Sequence, residues 1–227
     1  MIHGPTYAEM RDPGLLPAEL HKRAQAAAKD APLDPVNLFN ITWHDDAGRV
    51  RALRLPDALT GVEAPVILLV AHDFPTGAHK VGATYSVLME HQLAGDVVPG
   101  ASTLVWPSTG NYGIGGAWVG PRMGYESLVI LPEEMSAERF EKIEAYGARA
   151  IRTPGCESNV KEIYDECRRL EADPKIRVMN QFSEMANFRW HYHVTGAAAA
   201  EAVEALGRGR PAAFVSAMGA AGTIAAG

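Results

Sequence analysis

Cysteine is scarce: Cys156 and Cys167 are the only two in 227 residues. They form no Cys-x-x-Cys pattern, which argues against a thiolate metal site or a redox dithiol, and two thiols do not build a disulfide framework. No metal site is expected. Positive charge is also short. Lys and Arg number 21 against 27 Asp and Glu, a net charge of −6, so neither nucleic acid nor an anionic membrane is expected as a partner. No apolar run reaches the length of a membrane span. The opening Met1-Ile2-His3-Gly4-Pro5 lacks the basic and apolar regions of a signal peptide. The expectation is a reduced, cytoplasmic protein. The rest of the composition is ordinary, 47% hydrophobic and 21% charged, with room for two modest domains or one large one.

Residues 1–65 are cut into short pieces by Pro13, Pro17, Pro32, Pro35 and Pro56. A helix is predicted over 15–29, and a hairpin around Asp46-Ala47-Gly48 within 41–55. From Pro65 onward the pattern is regular. Strands are predicted at 66–70, 103–106, 127–131, 148–153, 176–179 and 212–216. Helices are predicted at 81–93, 113–123, 137–146, 159–170 and 195–206. The run 66–70 is apolar throughout, as in a strand buried on both faces. Helix 137–146 should turn Phe140 and Ile143 inward and pair Glu138 with Lys142 outside, and Cys167 falls on the apolar face of 159–170. Strands alternating with helices imply an α/β fold with parallel sheet covered on both faces. Ligands in such folds bind beyond the carboxyl ends of the strands. At 221–227 a Gly-rich turn should open a helix that has almost no room, so the chain reads as incomplete.

Three segments at strand ends carry chemistry. The first, Pro75-Thr76-Gly77-Ala78-His79-Lys80, opens a helix. A desolvated lysine there loses pKa and can form a Schiff base with an aldehyde. A solvated lysine at a helix start, with His79 as a polar cap, is the plainer reading of that segment alone. The second runs from Pro107 through Ser108-Thr109-Gly110-Asn111-Tyr112-Gly113 to Gly116. Hydroxyls, an amide and free N–H groups suit a carboxylate or phosphate, and a tight turn with glycine for packing explains it equally well. The spacing is not Gly-x-Gly-x-x-Gly and no acidic residue ends the next strand, which weighs against a dinucleotide. The third, Ser216-Ala217-Met218-Gly219-Ala220-Ala221-Gly222-Thr223, lets an anion approach the backbone but lacks a Walker lysine; a close-packed turn is its alternative.

Together these segments resemble, in order, a known family. Thr76-Gly77-Ala78-His79-Lys80 is similar to the lysine segment of the tryptophan synthase β subunit. Ser108-Thr109-Gly110-Asn111-Tyr112-Gly113 resembles the asparagine loop of cysteine synthase and cystathionine β-synthase. Gly219-Ala220-Ala221-Gly222-Thr223 resembles their Gly-Thr-Gly-Gly-Thr phosphate loop. Asn180-Gln181-Phe182, Asn187 and His191-Tyr192-His193-Val194-Thr195-Gly196 match a cysteine synthase stretch. The family is fold type II of the pyridoxal-phosphate (PLP) enzymes, and the resemblance covers about 66–227.

The resemblance implies two open parallel-sheet domains: 1–82 in the large domain, 83–190 as the small domain, and 191–227 returning to an incomplete large domain. It implies pyridoxal 5′-phosphate held as an aldimine on Lys80, which also removes the α proton. Asn111 would meet the cofactor's 3′ oxygen, and His79 would lie near the phosphate. Gly219, Ala220, Ala221, Gly222 and Thr223 would hold that phosphate. Ser108, Thr109, Asn111, Tyr112 and Gln181 would bind the substrate, and His191 and His193 would be structural. The implied reaction is β-replacement or β-elimination on a small amino acid such as an activated serine, through an aminoacrylate. A serine/threonine dehydratase or threonine synthase relative, a catalytically silent partner subunit and a nucleotide-binding protein are the alternatives. A second polypeptide or C-terminal fragment would complete the large domain within a homo- or hetero-oligomer. Val81-Gly82 stands in place of Asp-Arg after the lysine, Tyr112 in place of a Thr facing the substrate, and Ala220-Ala221 in place of Thr-Gly.

Overall fold

The computed structural model describes residues 4–227; Met1, Ile2 and His3, part of the segment read above for a leader, lie outside them. The proline-punctuated start folds as α1 (Tyr7–Arg11), closed by a capping box between Thr6 and Glu9, and α2 (Ala18–Asp30), each followed by a 3₁₀ turn. The Asn37 amide donates to the carbonyl of Ala31, the C-cap of α2, and the Asn40 amide to that of Ala24 within it, each at 2.8 Å, which fixes the second turn against the helix. The predicted hairpin appears as a single antiparallel bridge between His44 and Val50 around a turn at Asp45–Gly48.

The next elements are β1 (Ala52–Arg54), the short α3 (Asp57–Thr60) and β2 (Ile67–Leu69). Segment 66–70 was expected to be buried on both faces. Instead β2 pairs antiparallel with β1, and Leu68 is 44% exposed. Segment 212–216 forms no strand, and Val215 is 89% exposed. The physical reason is shared: an apolar run becomes a buried central strand when neighbours cover both of its edges and faces, and here they do not.

Helix α4 (Lys80–Ala94) leads into the second sheet. Its strands are β3 (Thr103–Pro107), β4 (Glu126–Pro132), β5 (Arg149–Thr153) and β6 (Ile176–Val178), all parallel, in the order β5-β4-β3-β6. The connecting helices are α5 (Asn111–Arg122), α6 (Ala137–Ala145) and α7 (Val160–Leu170). Alternation along β3 and β4 divides the core. Leu104, Trp106, Val129 and Leu131 pack in one cluster with α4 and α5, while Val105, Leu128 and Ile130 pack with Ile163 and Cys167 of α7. Gly116 is required here, because a Cβ would stand 2.2 Å from the Trp106 ring. The cluster of glycines after β3 thus serves close helix–strand packing. Phe140 and Ile143 point inward as expected. The outward Glu138–Lys142 pair is not seen: Lys142 Nζ donates to the carbonyl of Thr76 at 3.2 Å, because the lysine loop offers it a closer acceptor.

The chain returns through α8 (Met185–Trp190), a π-helical turn (His191–Thr195) and α9 (Gly196–Leu206). A short α10 (Gly222–Ala226) does form after the last Gly-rich turn and packs on α8 and the π-helical turn.

Candidate active site

The strand order places the site. Strands β4 and β5 lie on one side of β3 and β6 on the other, so the order reverses between β3 and β6. A crevice opens beyond the carboxyl ends at such a switch point. Val105 pairs with Val178; three residues further along each chain stand Ser108 and Gln181. The Ser108 hydroxyl accepts from Gly110 N–H at 3.2 Å and shapes the loop before α5, where Asn111 is the first helical residue and is exposed.

Lys80 is the first residue of α4, and α4 and α5 lie side by side. The Thr84 hydroxyl donates to the carbonyl of Lys80 at 2.8 Å and reaches that of Tyr112 at 3.4 Å, so one group ties the starts of both helices together. A Cβ on Gly115 would stand 2.5 Å from the same hydroxyl. Helix α6 braces both loops from outside, since Arg139 donates to the carbonyl of Thr109 one turn before Lys142 meets Thr76.

Burial lowers the Lys80 pKa below the usual lysine value, and no anion among the described residues offsets it. His79 is sandwiched between indoles, 5.8 Å from the Trp43 ring and 6.3 Å from the Trp190 ring. Burial, then the charge of Lys80, pushes its pKa down to about 4. His191 is fully buried 5.5 Å from His79. Burial, then Lys80 and His79, take its pKa to about 2.

The Gly219–Thr223 segment meets this group from the other side. Thr223 Oγ1 lies 3.1 Å from His191 Nε2. Gly222 lies against the Asn187 amide, which would be 3.0 Å from a Cβ there, and Asn187 donates to the carbonyl of Gln181 at 3.2 Å. Asn187 thereby links the third motif to the switch-point loop. Ala221 has φ 59, the one non-glycine residue at positive φ among those described; it stands where the resembling loop has glycine.

Of the residues expected in the site, His79, Gln181 and Thr223 are linked through Asn187 and His191, with Lys80 next to His79 in the chain, while Ser108 and Thr109 lie between β3 and α5 and Asn111 opens α5. Tyr112 differs. Its ring is 2% exposed and meets Trp106 edge-on at 5.7 Å, with its hydroxyl buried and unpaired. The ring therefore belongs to the core rather than the crevice, and its backbone is what remains near a ligand. Sequence reasoning gave no part to Trp43 or Trp190 and set His191 aside as structural. The one signal for His191 was its place in the matched His-Tyr-x-x-Thr-Gly stretch.

These features fit pyridoxal phosphate. The chemistry of the donors suits it: a desolvated amine without a carboxylate partner among the described residues, an asparagine opening the neighbouring helix α5, and a small-residue loop carrying the Thr223 hydroxyl. The buried Oδ1 of Asn187 has no partner where the loop arrives. Fold and site together define an α/β protein with a half-buried lysine at the switch point of its parallel sheet.

Comparison with known proteins agrees. Residues 50–227 match the model of the family described as “Pyridoxal-phosphate dependent enzyme”, and the chain belongs to that family. It is 32% identical over 175 residues to cysteine synthase B of Pseudomonas aeruginosa, covering 77% of this chain and 56% of that protein. It is 33% identical over 146 residues to cystathionine beta-synthase of Saccharomyces cerevisiae, covering 63% of this chain and 29% of that one. Among solved structures, cysteine synthase of Entamoeba histolytica superposes with a TM-score of 0.68 at 23% identity, over 76% of this chain and 51% of that one; this likeness shows the fold. The chain spans about half the length of most of the curated relatives it matches.

Proposed function

We propose that this protein carries out β-replacement or β-elimination on a small amino acid such as an activated serine, with pyridoxal phosphate held by Lys80. The observation that carries the reading is the position of Lys80, half-buried at the start of α4 and tied through the Thr84 hydroxyl to the start of α5 at the switch point. When bound, the cofactor supplies an aldehyde for amines and a ring that accepts electron density from the substrate's α carbon. The chain's residues supply the rest. Burial and the positive end of α4 both disfavour the ammonium form of Lys80, so a larger share of its amine would be unprotonated and able to hold the aldehyde or accept a proton. Asn111 would help to hold and orient the cofactor ring. Ser108, Thr109, the backbone of Tyr112 and Gln181 take the substrate carboxylate. The loop of Gly219, Ala220, Ala221, Gly222 and Thr223 takes the phosphate. His79, held uncharged between two indoles, adds no competing acid beside the lysine.

The remaining assignments belong to the same reading. Segments 1–82 and 191–227 build the large domain and 83–190 the small one. The exposed apolar side chains Leu53, Leu68, Val215 and Met218 support further strands, on a second polypeptide or another segment, covering the β1–β2 pair within an oligomer. Both cysteines are free thiols, which supports a cytoplasmic setting. Among the described residues no helix is long and apolar enough to cross a membrane.

The test is turnover by the PLP-loaded protein, with and without its proposed completing partner, on O-acetylserine, serine, O-phosphoserine and threonine, each with and without sulfide. Turnover of an activated serine is expected. Threonine deamination alone would move the assignment to a dehydratase, and no turnover in the complete assembly would favour a silent subunit.

A further inference from the structure

A buried chain of hydrogen bonds runs from the N-terminal segment to the candidate phosphate loop. Trp43 Nε1 lies 3.1 Å from Thr195 Oγ1, Thr195 Oγ1 lies 3.1 Å from His191 Nδ1, and His191 Nε2 lies 3.1 Å from Thr223 Oγ1. Trp43 and Thr195 are each 3% exposed and His191 is 0% exposed. The π-helical turn makes the middle link, since it carries both His191 and Thr195.

The direction of the chain follows from its first member. An indole N–H can only donate, so Thr195 Oγ1 accepts from Trp43. Thr195 then holds one proton, and His191 Nδ1 is the acceptor the structure offers it. If instead Nδ1 carried the ring proton, the Thr195 hydroxyl would be a buried donor with no acceptor, at a cost of about 1–3 kcal/mol. A doubly protonated ring is disfavoured by burial and by Lys80. The ring proton therefore sits on Nε2 and is donated to Thr223 Oγ1. Thr223 has spent a lone pair on the histidine and keeps its own proton to give to something else.

We propose that Trp43, Thr195 and His191 form a one-way relay that fixes the Nε2–H tautomer of His191 and turns the Thr223 hydroxyl proton toward a phosphate oxygen of the cofactor. In the opposite direction His191 would consume the Thr223 proton, and the hydroxyl would present lone pairs to an anion. The inference rests on the phosphate reading of the Gly219–Thr223 loop and assigns positioning roles to three residues outside it. It also gives the N-terminal segment a part in the site.

The first measurement is a long-range ¹H–¹⁵N correlation of the wild-type protein, labelled in histidine and without cofactor, at pH 7 and pH 5. His191 should show a proton on Nε2 at both values; a proton on Nδ1 overturns the proposal. The second is the affinity for pyridoxal phosphate relative to pyridoxal, measured by binding alone. Thr195→Val should lower the preference for the phosphorylated form about tenfold, as expected for a charge-assisted hydrogen bond. Thr195→Ser should restore it, and Thr223→Val should reproduce the loss. An unchanged preference in Thr195→Val also overturns the relay. A wild-type protein with no preference for the phosphorylated form defeats the phosphate reading itself, and the relay with it. A normal preference combined with the wrong tautomer defeats the relay alone.

Discussion

Leu104, Val105 and Ile130 in the four-stranded sheet are each 0% exposed, whereas Leu53 and Leu68 on the β1–β2 pair are 51% and 44% exposed. Both regions are written in aliphatic residues. The difference lies in their surroundings. Strand β3 has a parallel neighbour on each edge and a helical layer on each face, so alternate side chains enter two separate cores. Strand β2 has one short antiparallel neighbour. An apolar strand sequence states what could be buried, and the rest of the assembly decides whether it is.

The largest expected contrast is in core truncation. Ile130→Ala should cost about 2–5 kcal/mol, while Leu68→Ala should stay within about 0.5 kcal/mol in this chain alone. Urea unfolding of the two variants measures both. An equal cost would mean that the β1–β2 face is already covered.

Acid should separate the regions next. The sheet region 103–178 contains no histidine, whereas the site holds His79 and His191, uncharged with pKa values near 4 and 2. Above the ordinary histidine pKa both folded and unfolded chains leave these rings neutral, and they contribute no pH dependence. Below it the unfolded chain takes up protons that the folded one refuses. Stability should therefore fall as pH drops, by up to ~1.4 kcal/mol per unit for each ring, with the His79 contribution levelling off near pH 4. Unfolding midpoints at pH 7, 6 and 5 check this, and a flat profile would show that the rings are not buried as described.

A smaller effect concerns the backbone. In the sheet region every residue at positive φ is glycine, as at Gly124, Gly147 and Gly155, but in the Gly219–Thr223 loop Ala221 occupies φ 59. Ala221→Gly should relieve about 1 kcal/mol of strain, seen as a higher melting temperature. A lower one would mean that the methyl group packs against something.

The smallest effect is at the seam between the regions. His91 of α4 meets Glu184 at 3.0 Å and Asp96 at 2.8 Å. The Glu184 hydrogen bond, with Asp96, raises its pKa against the opposing cost of burial. A raised pKa stabilises fully below the ordinary histidine value and loses that contribution as pH rises through the raised one. His91→Gln should thus be more damaging at pH 6 than at pH 9, and a penalty equal at both would leave His91 with a packing role.

The sheet region was the most legible in the sequence because its signals are local. The strand runs, the helical spacing of Ile163, Tyr164, Cys167 and Leu170, and the inward turn of Phe140 and Ile143 hold, with ends shifted by one or two residues, while Val160 at the start of its helix is exposed. The order of the motifs was legible too, and it nominates Lys80, Asn111, Gln181 and Thr223 as site residues. What escaped depends on contacts distant in the chain. Trp43 reaches Thr195 across 152 positions, and no local pattern marks that meeting. Helix α8 and the π-helical turn are stabilised by burial of Trp190, His191 and Thr195 between elements rather than by an amphipathic repeat. The burial of the Tyr112 ring was not legible for a similar reason: its partner Trp106 lies on the preceding strand, and a ring at a helix start can turn either way in sequence.

The central claim is that Lys80 holds the cofactor. The direct measurement is to add pyridoxal phosphate, reduce with borohydride, and map the modified peptide by mass spectrometry beside a Lys80→Ala control. A pyridoxyl group on Lys80, absent from the variant together with the absorption band near the visible edge, is the predicted result. Modification spread over surface lysines, with Lys80 unlabelled, would contradict the account.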